Sequence, residues 1–205
     1  NSLGKEEIDA VNNVMQSGIL SEFQASWHED FYGGSLVRKF EDDAKKYFGV
    51  KYAISVNSWT SGLIAIIGAL GIEPGDEVIV PTWTMCATAT AILHWNAIPI
   101  FADIETDTFN IDPFSVEKNI TEKTKAILAV DIFGHSCYIS ILGKIAKKYN
   151  LKLITDSAQS PGVTIDKKKV GTLADVGGFS FNYHKHIHTG EGGLIVTNDE
   201  QIYTR

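Results

Sequence analysis

Three stretches of the chain carry apolar residues at the spacing of an amphipathic helix, every three or four positions. Each stretch is followed by a residue that tolerates the left-handed conformation in which many helices end: Gly18, Gly49 and Asn150. We therefore predict three helices, each with its apolar residues on one face. Their apolar positions are Ile8, Val11 and Met15 in the first, Leu36, Phe40, Ala44 and Tyr47 in the second, and Tyr138, Ile141, Leu142, Ile145 and Tyr149 in the third.

Seven short apolar runs lie between and after these helices. They are rich in β-branched residues, bounded by turn residues and mostly without polar alternation, which is typical of strands buried on both faces. Strands that alternate with helices predict an α/β fold, here a three-layer α/β/α sandwich with a mostly parallel sheet. The runs are "YAISV", "EVIVP", "IPIFAD", "AILAV", "LKLIT", "GGFSF" and "GLIVT".

The chain is predicted to form one large domain over residues 1–205, with the N-terminal segment 1–50 included, because it contains no internal repeat, low-complexity tract or linker. One further helix, "LIAIIGAL", is apolar on all sides and is therefore predicted to be buried. The last residues, "TNDEQIYTR", are typical of a turn and the first turn of a helix. We expect the chain to be part of a longer protein.

Composition argues against several classes of function. The 205 residues carry a formal net charge of −7 and scattered lysines, so we expect no binding to nucleic acid or to an anionic membrane surface. No run of about 18 apolar residues is present, so we expect no membrane span. The two cysteines, Cys86 and Cys137, lie outside any CxxC pair, and reduced thiols of this kind predict a cytoplasmic protein.

Candidate site residues follow three of the predicted strands, at the positions where open α/β sheets bind ligands. After "YAISV", the residues Ser58, Thr60 and Ser61 offer hydroxyl and backbone N–H groups to a phosphate, or form an ordinary helix cap. Asp156 follows "LKLIT", where a buried carboxylate needs a cation or hydrogen bonds, unless it is a cap. Lys185 lies between "VGGFSF" and "GEGG", as a Schiff-base lysine would, although most lone lysines are solvated.

Three histidines surround this lysine in the stretch "FNYHKHIHTGEGG". On a strand, His184, His186 and His188 would share one face and could bind zinc. Alternation along one strand is rarely the geometry of a catalytic zinc site, however, because such a site needs three ligands supported by outer carboxylates. We predict no metal and assign the histidines to the polar lining of the site.

A phosphate-binding helix start, a strand-end acid and a strand-end lysine together predict a site for pyridoxal 5'-phosphate (PLP). The helix would bind the phosphate and Lys185 would hold the aldehyde. Asp156 would keep the ring nitrogen protonated, so that the ring can accept electrons.

The same residues resemble the DegT/DnrJ/StrS family of sugar aminotransferases, which are PLP-dependent enzymes of the aspartate-aminotransferase fold. The resemblance covers essentially the whole chain and is most specific in the blocks "DSAQ" and "FSF…K…GEGG". It implies that the chain is the PLP-binding large domain of fold type I, without the family's small C-terminal domain.

The resemblance also implies a role for each candidate residue. Lys185 matches the Schiff-base lysine and Asp156 the partner of the ring nitrogen. Trp59 departs from the family, which has glycine or another small residue there, and Met85 aligns with the aromatic residue that stacks on the ring, with Trp83 as the alternative. The remaining implied contacts are Gln159 with the ring hydroxyl, Ala158 with the ring face, and Ser180, Thr60 and the backbone around Trp59 and Ser61 with the phosphate.

The function implied by the resemblance is transamination. An amino group would move from an amino acid, expected to be glutamate, to a nucleotide-linked keto-sugar in amino-sugar and cell-surface polysaccharide biosynthesis. One alternative is the family's dehydratase branch, which carries histidine in place of the lysine. Another is a non-catalytic regulatory protein on the same fold, which would lack Asp156 or Lys185. The resemblance further implies a homodimer with shared active sites.

Overall fold

The structure of the chain is a computed structural model that describes residues 3–205. It divides into two compact units, one ending at Ala44 and the other comprising Lys45–Arg205. The first unit contains α1 (Lys5–Ser17) and most of α2 (Ser35–Phe48). Both helices were predicted from the spacing of their apolar residues.

Helix α1 ends where its sequence predicts. Gly18 adopts a φ of 71° and its backbone N–H donates to the carbonyl of Met15, which closes the last turn. The apolar stripe of α1 is not buried, however, since Ile8, Val11 and Met15 are all exposed among the described residues. The apolar stripe of α1 therefore packs against no core within the described residues.

The second unit is built on a sheet, which is seven-stranded within residues 45–205. Its strands lie in the order β1-β9-β8-β5-β4-β2-β3, and β6 and β7 form a separate two-stranded hairpin. The strands are β1 (Tyr52–Val56), β2 (Glu77–Pro81), β3 (Ile98–Ala102), β4 (Thr124–Val130), β5 (Lys152–Asp156), β6 (Thr164–Ile165), β7 (Lys168–Lys169), β8 (Val176–Ser180) and β9 (Gly193–Thr197).

The sheet is mostly parallel, as predicted. Strands β3, β2, β4, β5 and β8 pair in parallel. Strand β9 alone runs antiparallel to both of its neighbours, β8 and β1, among the described strands. Parallel neighbours bring their carboxyl ends to one edge of the sheet, and that edge carries the candidate site residues.

Helices cover both faces of the sheet, so the second unit is a three-layer α/β/α sandwich. In β4, Leu128 and Val130 belong to a core that includes residues of α3, α4 and α7, whereas Ile127 and Ala129 belong to a second core with α5 and α6. Both faces of the strand are thus buried, which explains the unbroken apolar run in its sequence. The helices are α3 (Trp59–Ala69), α4 (Ala87–Leu93), α5 (Pro113–Lys118), α6 (Ile139–Tyr149) and α7 (Glu200–Thr204).

Helix α3 contains all but the last residue of the "LIAIIGAL" run, which is apolar on all sides and was predicted to be buried. Leu63, Ile66 and Ile67 are completely or almost completely buried, but Ala65 is exposed and Ile64 only partly buried. The helix therefore buries one face in this chain. Among the helices of residues 3–205, none combines the length and the hydrophobicity needed to cross a lipid bilayer.

Candidate active site

The carboxyl ends of the parallel strands and the first turn of α3 surround a cleft. Strand β5 contributes its last residue, Asp156, and β8 contributes Ser180. The structure brings eight of the nine predicted site residues together in the lining of this cleft: Lys185, Asp156, Gln159, Ser180, Thr60, Trp59, Met85 and Ala158.

The ninth predicted residue, Ser61, is not part of the lining and belongs to the first turn of α3. Ser58 is the N-cap of the helix, and its Oγ accepts a hydrogen bond from the backbone N–H of Ser61 at 3.1 Å. The two preceding backbone N–H groups, of Trp59 and Thr60, have no acceptor within the residues that the structure describes. The helix start is thus both an ordinary cap and a site with two free donors for an anion.

Asp156 is a buried acid, with only 6% of its surface exposed. Its Oδ1 accepts hydrogen bonds from the indole Nε1–H of Trp59 at 2.7 Å and from the backbone N–H of Ala158 at 3.1 Å. Burial raises the pKa of Asp156 to about 6, against the opposing effect of these two donors and of the positive charge of Lys185. Asp156 forms no ion pair in the described part of the chain, so its charge is compensated by these two N–H donors and, at longer range, by Lys185.

Lys185 lies in a turn between β8 and β9. The turn is closed by backbone hydrogen bonds in which Phe181 donates to the carbonyl of Gly192 and Thr189 donates to the carbonyl of Phe181. The backbone N–H of Lys185 donates to the carbonyl of Asn182 at 2.9 Å. Its ammonium group has no hydrogen-bond or ion-pair partner within residues 3–205, so the amine is available to a ligand.

The histidines around Lys185 do not lie on a strand, because this segment forms turns and bends. The side-by-side arrangement predicted for His184, His186 and His188 is therefore wrong. His184 lines the cleft, as the assignment to its polar lining predicts, but His186 and His188 do not. In the described residues, the acidic and histidine side chains close enough to hold a metal are His28, Glu29 and Asp30, in a mostly exposed loop of the other unit.

Gln159 and Met85 occupy the wall of the cleft. The Oε1 of Gln159 accepts a hydrogen bond from the backbone N–H of Phe133 at 2.7 Å, which fixes the orientation of the amide. Met85 lines the cleft, whereas the alternative residue, Trp83, does not and instead contacts the ring of Phe109.

Sequence reasoning missed three polar residues of the lining: Thr84, Asn182 and Glu191. The side-chain amide of Asn182 donates to both carboxylate oxygens of Glu191, at 2.8 and 2.9 Å. Both residues flank Lys185 within "FNYHKHIHTGEGG", and this proximity along the chain was the available signal. Their pairing joins the two sides of the turn that carries the lysine.

The cleft therefore combines three kinds of chemistry. Free N–H donors and hydroxyls at the start of α3 can bind a dianion. The carboxylate of Asp156 can hold a cationic nitrogen, and the unpaired amine of Lys185 can react with a carbonyl group or move a proton. These functions suit a phosphorylated ligand that also carries a basic ring nitrogen and an aldehyde.

Comparison with known proteins finds relatives that match the whole chain. The sequence model of the DegT/DnrJ/EryC1/StrS aminotransferase family matches residues 1–205. A GDP-perosamine synthase of Escherichia coli is 42% identical over 204 residues, which are 100% of this chain and 53% of that protein.

Two solved structures share the fold. The X-ray structure of an aminotransferase from Psychrobacter cryohalolentis has a TM-score of 0.90 at 35% identity, over 98% of this chain and 49% of that one. An E. coli GDP-4-keto-6-deoxy-D-mannose-3-dehydratase with bound hydrated PLP has a TM-score of 0.88 at 32% identity, over 99% of this chain and 51% of that one. The chain thus spans about half the length of the curated relatives and solved structures that it matches.

Proposed function

Because the chain belongs to the DegT/DnrJ/EryC1/StrS aminotransferase family, we propose that it acts in a PLP-dependent transaminase. The reaction moves the amino group of an amino acid, glutamate, to a nucleotide-linked keto-sugar in the biosynthesis of amino sugars for cell-surface polysaccharides. One observation carries the proposal. The unpaired amine of Lys185, the buried carboxylate of Asp156 and the open first turn of α3 share a single cleft.

The residues of the cleft fit PLP. The buried carboxylate of Asp156, whose pKa burial raises to about 6, is matched by the ring nitrogen of PLP, because an opposite charge favours the ionised form of both groups. When bound, PLP supplies a protonated ring that accepts the electron pair left at carbon after a proton departs. The proposed contacts are Asp156 with the ring nitrogen, Gln159 with the ring hydroxyl, Ala158 and Met85 with the ring faces, Ser180, Thr60, Ser61 and the N–H of Trp59 around the phosphate, and Lys185 with the aldehyde.

Lys185 is the proposed acid and base of the reaction. Its Nζ takes the proton from the α-carbon of the donor amino acid and later returns a proton to the sugar carbon that gains the amino group. The site suits this work because no carboxylate of the described chain pairs with the amine. An ion pair would hold the ammonium protonated and out of reach of the substrate.

The dehydratase alternative is disfavoured by the residue at this position. The branch of the family that removes a sugar hydroxyl carries histidine where this chain has Lys185. His184 also lines the cleft, but it does so beside the lysine and not in its place. A non-catalytic regulatory role is disfavoured for a similar reason, since Lys185 and Asp156 are both present.

The organisation of the protein follows from the same proposal. Residues 1–205 form the PLP-binding large domain, including the N-terminal segment 1–50, of which residues 1 and 2 lie outside the described part. The functional form is a cytoplasmic homodimer whose active sites are shared between subunits. Exposed apolar residues outside the cleft lining support such an assembly, since Trp83 and Phe133 are 52% and 66% exposed.

The cofactor assignment is tested by reductive trapping on the full protein. After incubation with PLP and reduction with borohydride, peptide mapping should place a single pyridoxyl group on Lys185. Lys144 is an exposed lysine on α6 and serves as the control. Lys144→Ala should be labelled like the wild type and Lys185→Ala should not. A label on another lysine would contradict the proposal.

The substrate assignment needs a separate assay. Purified protein with glutamate should convert at least one nucleotide-linked keto-sugar, from a panel of GDP and dTDP derivatives, into an amino-sugar while 2-oxoglutarate forms in equal amount. Loss of a sugar hydroxyl without a stable amino product would instead support the dehydratase.

A further inference from the structure

Trp59 stands at a position that the proposed function does not require to be aromatic. It is the first residue of α3, in the turn proposed to bind phosphate, and it is 5% exposed. Its indole Nε1–H reaches across the sheet edge to donate to Oδ1 of Asp156 at 2.7 Å, over 97 positions of sequence. A buried indole N–H needs an acceptor, but backbone carbonyls usually supply it, as Ile64 does for Trp95 at 2.8 Å.

The indole lies in a slot that glycines create. A Cβ added to Gly178 of β8 would lie 2.3 Å from Cζ3 of Trp59, and one added to Gly62 of α3 would lie 2.9 Å from Cε3. A Cβ on Gly193 of β9 would lie 2.7 Å from the backbone nitrogen of Trp59. Each distance is shorter than real Cβ contacts, so three elements leave out side chains where the tryptophan sits. The ring is therefore closely packed against Gly178 of β8 and Gly62 of its own helix, and the backbone of Trp59 against Gly193 of β9.

The carboxylate of Asp156 is held asymmetrically. Both of its hydrogen bonds in the described chain, from Trp59 and from the N–H of Ala158, end on Oδ1. With Oδ1 occupied by two neutral donors from the protein, Oδ2 is left for a ligand. The N–H of Ala158 belongs to the backbone and does not depend on the side chain at that position. The indole N–H, in contrast, is present only because residue 59 is a tryptophan.

The electrostatic surroundings of Asp156 are mixed. Lys185 favours the ionised carboxylate, whereas the nearby acid Asp131 disfavours it. His184 and Glu191 are the other titratable residues that line the cleft. Burial raises the pKa of Asp156, and the N–H groups of Ala158 and Trp59 lower it again. Removing the indole donor would therefore raise the pKa further and free the carboxylate to rotate.

We propose that Trp59 is a positioning residue, whose rigid indole N–H orients the Asp156 carboxylate and keeps it ionised for the ring nitrogen of the cofactor. The inference deepens the proposed function and rests on it. Trp59 acts through Asp156 and takes no part in proton transfer itself. The side chain at position 59 would thus set the orientation and the proton affinity of Asp156, the proposed partner of the ring nitrogen.

The test uses the full protein without cofactor, labelled with 5-fluorotryptophan. The fluorine resonance of Trp59 should move with pH, with a midpoint near the pKa of Asp156, about 6. The movement should disappear in Asp156→Asn. This measurement does not require Trp59 to be replaced. A resonance that stays constant between about pH 4.5 and 8 would overturn the inference, whether or not the protein binds PLP.

Trp59→Phe supplies the second measurement, because it keeps a ring in the slot and removes the donor. We expect the midpoint of Asp156, followed by its carboxyl 13C signal, to rise by about half to one pH unit, a threefold to tenfold change in the proton affinity. The acid limb of kcat should move to higher pH by a similar amount, with little change in KM for glutamate. Trp95→Phe is the matched control, since it removes an indole donor that bonds to a carbonyl, and it should leave both midpoints unchanged.

Two outcomes separate the inference from the proposed function. If Trp59→Phe folds and leaves the Asp156 midpoint unchanged, Trp59 only fills the core and the inference fails. If the midpoint moves but PLP is not trapped on Lys185, the coupling of the two residues stands and the proposed function, together with the role toward a cofactor, fails.

Discussion

Asp131 and Asp156 are two buried aspartates at the ends of neighbouring parallel strands, and they differ in how their oxygens are used. Asp131 follows β4 and is 1% exposed; Asp156 ends β5 and is 6% exposed. Oδ1 of Asp131 accepts from the backbone N–H of Cys137 at 2.9 Å, and Oδ2 accepts from the hydroxyl of Ser157 at 2.6 Å. Both bonds to Asp156 fall on one oxygen.

Burial raises the pKa of both acids, so a raised pKa does not distinguish them. The difference is the free oxygen. Each oxygen of Asp131 accepts a hydrogen bond from the protein. These bonds link the loop after β4 to Ser157, which follows β5, and Asp131 lies outside the cleft lining. Asp156 keeps one oxygen for a ligand and lies in the cleft. We therefore propose a structural role for Asp131 and a functional role for Asp156, because a ligand can only use an oxygen that the fold leaves open.

The largest effect should follow from neutralising Asp156. Asp156→Asn keeps the size of the side chain and an acceptor for Trp59, but an amide cannot hold the ring nitrogen protonated. We expect transamination to fall on the order of 10³-fold, about 4 kcal/mol of barrier, as for other removed electrostatic groups. PLP binding should largely persist. The measurement is kcat with glutamate and a nucleotide keto-sugar, and a loss below about tenfold would make the two aspartates functionally alike.

Replacing Asp131 should lower the stability of the fold and have little effect on catalysis. Asp131→Ala leaves the N–H of Cys137 and the hydroxyl of Ser157 buried without their acceptor, which should destabilise the fold by about 3 kcal/mol. Urea unfolding gives the free energy directly. At temperatures where the variant is folded, its acid limb of activity should move slightly to lower pH, because the negative charge of Asp131 contributes to the raised pKa of Asp156. An unchanged unfolding midpoint would show that Asp131 does not hold the loop.

A smaller effect should appear in the pH dependence of stability without cofactor. The pKa of Asp156 is about 6 in the folded chain against an ordinary 3.8, so the folded state binds more protons than the unfolded state between these values. Its contribution therefore falls as pH rises through this window, by about 2 kcal/mol between pH 4 and 7.

The difference between wild type and Asp156→Asn isolates this contribution, because Asp131 titrates in both. Urea unfolding from about pH 4 to 7 should show a wild-type protein that loses stability relative to the variant as the pH rises. Parallel stability curves would mean that burial does not raise the pKa of Asp156.

Most secondary structure could be predicted from the sequence. Each apolar run became a strand to within about two residues, and α1 and α6 ended at Gly18 and Asn150, both in the left-handed conformation. These features depend on neighbouring residues, since helix spacing and caps are local. The exposed stripe of α1 and the one-sided burial of α3 could not be predicted in this way, because burial depends on what packs against a helix.

The candidate site could be predicted where a charged residue lies at or after the end of a buried strand. Lys185 and Asp156 stand out because a polar residue after a buried strand needs an explanation. The arrangement of the three histidines was predicted wrongly. Residues that alternate along the sequence share one face only if the segment is extended, and this segment forms a turn. Asn182 and Glu191 were missed because neither residue type indicates a cleft by itself.

The sequence by itself determined the seven strands of the main sheet, the helices α1, α2, α3 and α6, the α/β class and the family, and it singled out Lys185 and Asp156 as candidates. Only the tertiary structure decided that β9 runs antiparallel, that Ser61 is not part of the lining, and that Trp59 donates to Asp156. The physical reason is distance. Helices and strands form from residues a few positions apart. The hydrogen bonds of Asp156 and Asp131 depend instead on donors that only the folded chain brings together. For Asp156 the donor Trp59 lies 97 positions away in the sequence.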